Sequence, residues 1–104
     1  MTVEIINSDN FDDFVKEGNI IIDFYADWCG PCQMMKPHFE KASDSIEDVK
    51  FGKVDVDKNQ EIAQRFQIMS IPTTILFKNG EQVDRRSGAL GEGDIKEVVK
   101  KNFD

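Results

Sequence analysis

Asn19-Ile20-Ile21-Ile22-Asp23-Phe24-Tyr25-Ala26-Asp27-Trp28-Cys29-Gly30-Pro31-Cys32 runs from a nearly unbroken apolar segment into a pair of cysteines. β-Branched and aromatic residues packed into so short a run, Asn19 to Ala26, mark a central strand with helices over both faces. Beyond it, Met34, Met35, Phe39, Ala42 and Ile46 fall at helical spacing and predict a long helix from Cys32 to about Ile46. Pro37 lacks an amide hydrogen and should kink that helix. The cysteine pair therefore sits where a strand turns into a helix.

Working outward, Val3-Glu4-Ile5-Ile6 reads as a short strand, and Ser8 as the N-cap of a helix carrying Phe11, Phe14 and Val15, stopped by Gly18. Phe51 to Val56 reads as a strand, Asn59 to Phe66 as a short helix with Ile62, Ala63 and Phe66 on one face, and Thr73 to Phe77 as a strand. Asn79-Gly80 is a hairpin signal, so Gln82 to Ser87 should pair back antiparallel. After the turn from Gly88 to Gly93, Ile95, Val98 and Val99 mark a last helix. The order βαβαβαββα predicts an α/β fold, a mixed five-stranded sheet flanked by four helices, in one domain spanning 1–104.

A chain of 104 residues is long enough for one core, burying about two-thirds of the unfolded surface. The net charge of -7 repels phosphate backbones and anionic lipid, which argues against nucleic acid and membrane partners. No window reaches the roughly 18 apolar residues of a spanning helix. Glu4 and Asp9 stand where a signal peptide would be basic and then apolar, so a cytoplasmic location is expected. In a reducing compartment two cysteines so close in sequence do not act as a staple, because their bridge closes almost no loop.

Cysteines at i and i+3 across a helix start have Cβ atoms about 5–6 Å apart, close enough for a reversible disulfide after a small adjustment. The free amides and dipole of the first helical turn favour negative charge on Cys29, which makes it the expected nucleophile. Cys32, one turn further in and expected to be the more buried, is then the resolving thiol. Gly30 supplies backbone freedom and Pro31 loses no needed hydrogen bond. Half a zinc site and two ordinary core cysteines are the rival readings. Structural zinc wants four ligands, however, and the chain offers only His38 besides the pair, so no metal is expected. Asp23 interrupts the apolar run, where a carboxylate needs a partner, a purpose, or an edge or water-filled cleft to hydrate it. Lys53 could simply reach solvent. His38 reads as solvated, Met34 and Met35 as core or near-core filler.

The run from Asp23 to Cys32 resembles the active-site signature of the thioredoxin family. Pro37, Lys53-Val54-Asp55-Val56-Asp57, Ile71-Pro72-Thr73, Phe77-Lys78-Asn79-Gly80 and Gly88-Ala89 extend the resemblance over nearly the whole chain. It implies a thioredoxin fold with a cis peptide before Pro72, and a shallow groove of Trp28, Gly30, Pro31, Ile71, Pro72, Gly88 and Ala89 that takes an extended target segment. It also makes Asp23 the buried carboxylate that assists proton transfer at Cys32, with Lys53 nearby as its modulator. Two positions depart from the family's pattern: Tyr25 is often tryptophan in bacterial members, and Ser70 is glycine in many.

The activity these readings imply is protein-disulfide reduction by an electron carrier. Cys29 attacks the target disulfide, Cys32 displaces the reduced target, and the carrier is left with a redox-active Cys29-Cys32 disulfide. No GxGxxG loop is present, so any nicotinamide or flavin belongs to a separate thioredoxin reductase, and the carrier needs no bound cofactor. Its partners are then that reductase and disulfide-containing target proteins, met as a monomer. An oxidase or isomerase of the same fold is one rival, separable by redox equilibrium against glutathione. A non-enzymatic binding module is another, separable by the absence of turnover on a protein disulfide.

Overall fold

The computed structural model describes residues 3–104. The elements are β1 (Val3–Ile5), α1 (Phe11–Val15), β2 (Asn19–Tyr25), α2 (Gly30–Ser45), β3 (Val49–Asp55), α3 (Gln60–Arg65), β4 (Thr73–Lys78), β5 (Glu81–Ser87) and α4 (Glu92–Phe103). The isoleucine-rich strand β2 takes the centre of a sheet ordered β1-β3-β2-β4-β5. β1, β3 and β2 run parallel, and β4 and β5 are antiparallel additions, the mixed sheet that the element order predicts.

Alternation along β2 distributes its side chains between two cores. Ile20, Ile22 and Phe24 pack with Phe11 and Phe14 of α1 and Ile62 of α3. Ile21 packs on the other face with Met35 and Phe39 of α2 and Ile95, Val98 and Val99 of α4. Asp23, two residues on from Ile21, shares its face, and the chain's one interrupting carboxyl is thereby directed to the side that carries α2.

Two glycines are fixed by geometry. A Cβ at Gly52 would lie 2.8 Å from Ile6 Cγ1 and 2.9 Å from Phe14 Cε2, so bare backbone lets β3 approach α1. Gly80 (φ 88°) follows Asn79 (φ 50°) between the paired Lys78 and Glu81. Two positive φ values in a two-residue loop are the hairpin turn expected from Asn-Gly.

The structure corrects three expectations. Ser8 does not cap α1, which begins after Asn10. Asn7 instead closes the preceding turn: its Oδ1 accepts from the amides of Asp9 at 2.9 Å and Asn10 at 3.1 Å, and its carbonyl takes the Phe11 amide at 3.0 Å, so the Asn10 and Phe11 donors that a Ser8 cap would have served are already used. Met34 is not core filler: it is 72% exposed, because Met35, Phe39 and Ala42 occupy the buried face and position 34 lies a third of a turn away. α2 begins at Gly30 rather than Cys32, since Cys29 itself serves as the N-cap, and it continues through Pro37 to Ser45.

Candidate active site

Cys29 leaves β2 through a turn in which its amide donates to Ala26 O at 3.2 Å. Its backbone is extended (φ -86°, ψ 117°), as an N-cap requires. Sγ of Cys29 does the work of a capping oxygen, accepting from the Cys32 amide at 3.2 Å. The sulfur thus faces the positive end of a 16-residue helix. On its other side it donates to Ile71 O at 3.8 Å. Both cysteines are free thiols, and exposure barely separates them, 5% for Cys29 against 3% for Cys32. Together with Ala26 they form a small cluster on which Tyr25, Val56 and Ile71 pack. Their surroundings differ more than their exposure. Burial pushes the Cys32 thiol up to about 12, with the hydrogen bond to Cys29 and the charge of Asp23 adding to the rise.

Asp23 is 6% exposed and lies between strands, in register with Lys53 on β3 and Thr74 on β4. It is therefore not on an edge. Its Oδ1 has no hydrogen-bond partner. It borders a pocket of about 60 Å³ shared with Tyr25, Asp27, Gln33, Lys36 and Lys53, polar and roomy enough to admit water. Burial raises the Asp23 carboxyl to about 7, against the pull of Lys53. A group in that range changes charge near neutrality, which suits proton transfer. The Lys53 ammonium lies 5.6 Å from the centre of the Tyr25 ring, in the same pocket, so the tyrosine that departs from the family's pattern borders the carboxyl.

Around the cysteines, Trp28 is 74% exposed and held by its indole Nε1, which donates to Asp57 Oδ2 at 2.7 Å. Gly30, Pro31, Gly88 and Ala89 are exposed, Ile71 is half-buried and Pro72 is buried. The Ile71-Pro72 peptide is cis, and the Gly88 amide donates to Pro72 O at 2.9 Å, joining the end of β5 to that turn. Ile71 reaches Cys29 directly, whereas Ala89 borders a different small pocket with Met34 and His38. Reading the sequence missed two supports. Val56 packs on the cysteine cluster and Asp57 fixes the tryptophan; both lie in the Lys53 to Asp57 run, but only the β3–α3 geometry brings them there. Among the described residues, no three or more His, Cys, Asp or Glu side chains gather where they could hold a metal ion.

A sequence model of the family described as Thioredoxin matches residues 2–101. The chain belongs to the thioredoxin family. The thioredoxin of Staphylococcus saprophyticus is 41% identical over 104 residues, covering 99% of this chain and all of that one. The crystal structure of the Malassezia sympodialis thioredoxin superposes with a TM-score of 0.89 at 38% identity, covering 98% of this chain and 94% of that one. A bifunctional thioredoxin reductase/thioredoxin of Mycobacterium leprae is 40% identical over 105 residues, covering 95% of this chain and 23% of that protein. The fold is the thioredoxin fold, and the protein is a thiol-disulfide oxidoreductase acting on protein disulfides. Thioredoxins carry electrons on their own cysteine pair and need no cofactor. Disulfide-containing proteins and a reductase are the partners that membership of the thioredoxin family implies.

Proposed function

We propose that Cys29 is the nucleophile, Cys32 the resolving thiol and Asp23 the proton acceptor of this thioredoxin, with Lys53 setting the proton affinity of Asp23. The observation that carries the reading is the Cys32 amide at 3.2 Å from Cys29 Sγ, which puts that sulfur at the N-terminal end of the helix where backbone donors converge. The Cys29 thiolate attacks one sulfur of the target disulfide in line, forming a mixed disulfide and releasing the other target thiolate. Asp23 takes the proton of Cys32, whose thiolate attacks Cys29 Sγ and expels the second target thiolate. Two electrons have then moved to the target, and the carrier holds a Cys29-Cys32 disulfide.

Trp28, Gly30, Pro31, Ile71, Pro72, Gly88 and Ala89 form the groove for an extended target segment. The Ile71 carbonyl beside Cys29 supports this, since it is a backbone acceptor next to the reacting sulfur. The protein works as a single domain spanning 1–104 and as a monomer, with no cofactor of its own. A separate thioredoxin reductase recharges it, a pairing supported by the fusion of the two activities in the Mycobacterium leprae relative. Its setting is the cytoplasm, away from nucleic acid and membranes. The charge of -7 supports that, and among the described residues no helix is long and apolar enough to cross a membrane. Reduction of a model protein disulfide, with a small dithiol as electron source, tests the assignment: Cys29→Ser should abolish turnover, and full turnover by that variant would overturn it.

A further inference from the structure

Lys53 carries its charge on a long flexible stem, and it opposes the burial of Asp23 only while its ammonium is held nearby. A lysine left to itself carries its head to water. None of the described ion pairs includes Lys53, and the group its ammonium meets is an aromatic face. Nζ lies 5.6 Å from the centre of the Tyr25 ring, within the roughly 6 Å over which such a face attracts a cation. Strand register explains the meeting. Asp23 and Tyr25, two residues apart on one face of β2, stand opposite Lys53 and Asp55 of β3, so Lys53 is beside the carboxyl and one step along from the ring. The same ring packs on the cysteine cluster and lines the 60 Å³ pocket that Asp23 borders.

The other groups around the carboxyl are placed differently. Lys36 of α2 and Asp27 border the pocket but are exposed, whereas Lys53 is half-buried. Asp55, the carboxylate opposite Tyr25, turns its Oδ1 to the amides of Asp57 at 2.9 Å and Lys58 at 3.3 Å. α2 also presents the Cys32 thiol, which burial keeps protonated, and β4 presents the uncharged Thr74. Burial, aided by the charges of Asp55, Asp27 and Asp23, lifts the Tyr25 phenol above the usual tyrosine range, so the ring stays neutral where Asp23 titrates.

We propose that Tyr25 is a positioning residue for proton transfer: its ring holds the Lys53 ammonium at the pocket and so sets the pH at which Asp23 can accept the Cys32 proton. The proposal rests on the assignment of Asp23 as the acceptor. Without the ring the lysine head goes to water, the carboxylate loses its nearby cation, and Asp23 keeps its proton to higher pH. A ring that merely filled space would give the opposite sign, because cutting it back admits water to the carboxyl and eases its ionisation.

Carbon-detected NMR titration of the Asp23 carboxyl reads the first half of the proposal. In Tyr25→Leu its midpoint should rise by about half a pH unit, the weight of one partly exposed contact between a cation and a ring. In Tyr25→Phe it should keep the parental value, because the face of the ring and not its hydroxyl holds the cation. Adding Tyr25→Leu to Lys53→Gln should raise it no further. Single-turnover reduction of a protein disulfide reads the second half. Tyr25→Leu should release the second target thiol about threefold more slowly near pH 6, where fewer Asp23 carboxyls are ionised, and at the parental rate above about pH 8.5; Tyr25→Phe should follow the parent at both. A midpoint unchanged or lowered in Tyr25→Leu, or a rise that persists in the Lys53→Gln background, would overturn the positioning role while leaving Asp23 as the acceptor. Tyr25→Trp offers the cation a larger face and decides the matter if the leucine variant does not fold: its midpoint should fall, and any other result would overturn the proposal. An Asp23→Asn variant that resolves at the parental rate would instead remove the acceptor reading, and the part of Tyr25 with it.

Discussion

A carboxyl in the middle of a five-stranded sheet keeps its charge only against the cost of lost hydration, and Asp23 meets that cost by holding its proton to about pH 7. An unfolded aspartate releases its proton near 3.8. Between those values the Asp23 site binds more protons in the folded state than in the unfolded one, so its contribution to stability is most favourable below about pH 4 and falls as pH rises towards 7. Asp23→Asn removes that slope. Urea unfolding should find it equal to the parent below pH 4 and more stable by about 2–4 kcal/mol above pH 8; a variant no more stable at pH 8 would contradict the burial. Its mixed disulfides should also resolve more slowly in single turnover. Lys53→Gln removes the cation that opposes the rise, so carbon-detected NMR titration should find the Asp23 carboxyl releasing its proton at higher pH than in the parent. The anomaly of Asp23 was legible, because one charge in an apolar run violates the pattern of its strand. The pocket beside it was not, since that depends on the β2–β3 register that sets Lys53 opposite.

Periodicity carried the elements well. The run Ile20 to Phe24 supports two cores by alternation, and Ile95, Val98 and Val99 lie buried on one face of α4, as their spacing requires. Helix starts were read less well, because capping depends on which of several competing polar side chains reaches the free amides. Asn7 closes the turn before α1, which starts with no side-chain cap, and a cysteine sulfur, not among the residues usually sought as caps, begins α2. The requirement for Gly52 was likewise hidden, since β-strand patterning does not reveal that α1 will cross it. Gly52→Ala drives a methyl into Ile6 and Phe14, in the core that α1 packs and away from the cysteine cluster's own members. We expect a loss of about 1–3 kcal/mol in denaturant unfolding, with the rate on small disulfides retained once the variant is folded. An unchanged midpoint would mean that Ile6 and Phe14 yield without cost.

At the scale of the whole molecule, the site is assembled from the β2–α2 junction, the β3–α3 loop that supplies Val56 and Asp57, the cis turn at Pro72 and the end of β5 at Gly88. Only the first of these announces chemistry in its own sequence. The cis turn and Gly88 were reached only through resemblance, and the parts played by Val56 and Asp57 were missed, because contacts across 29 to 42 residues of chain leave no periodic trace. What unites them is an asymmetric dithiol, the Cys29 sulfur accepting an amide at a helix N-terminus and the Cys32 thiol pushed up by burial. Removing the resolving thiol separates the two roles. Cys32→Ser, incubated with a protein disulfide and quenched with acid, should accumulate a covalent mixed disulfide, and peptide mapping by mass spectrometry should find it on Cys29. An adduct that instead builds up on Cys32 in Cys29→Ser, with none on Cys29 in Cys32→Ser, would contradict the account.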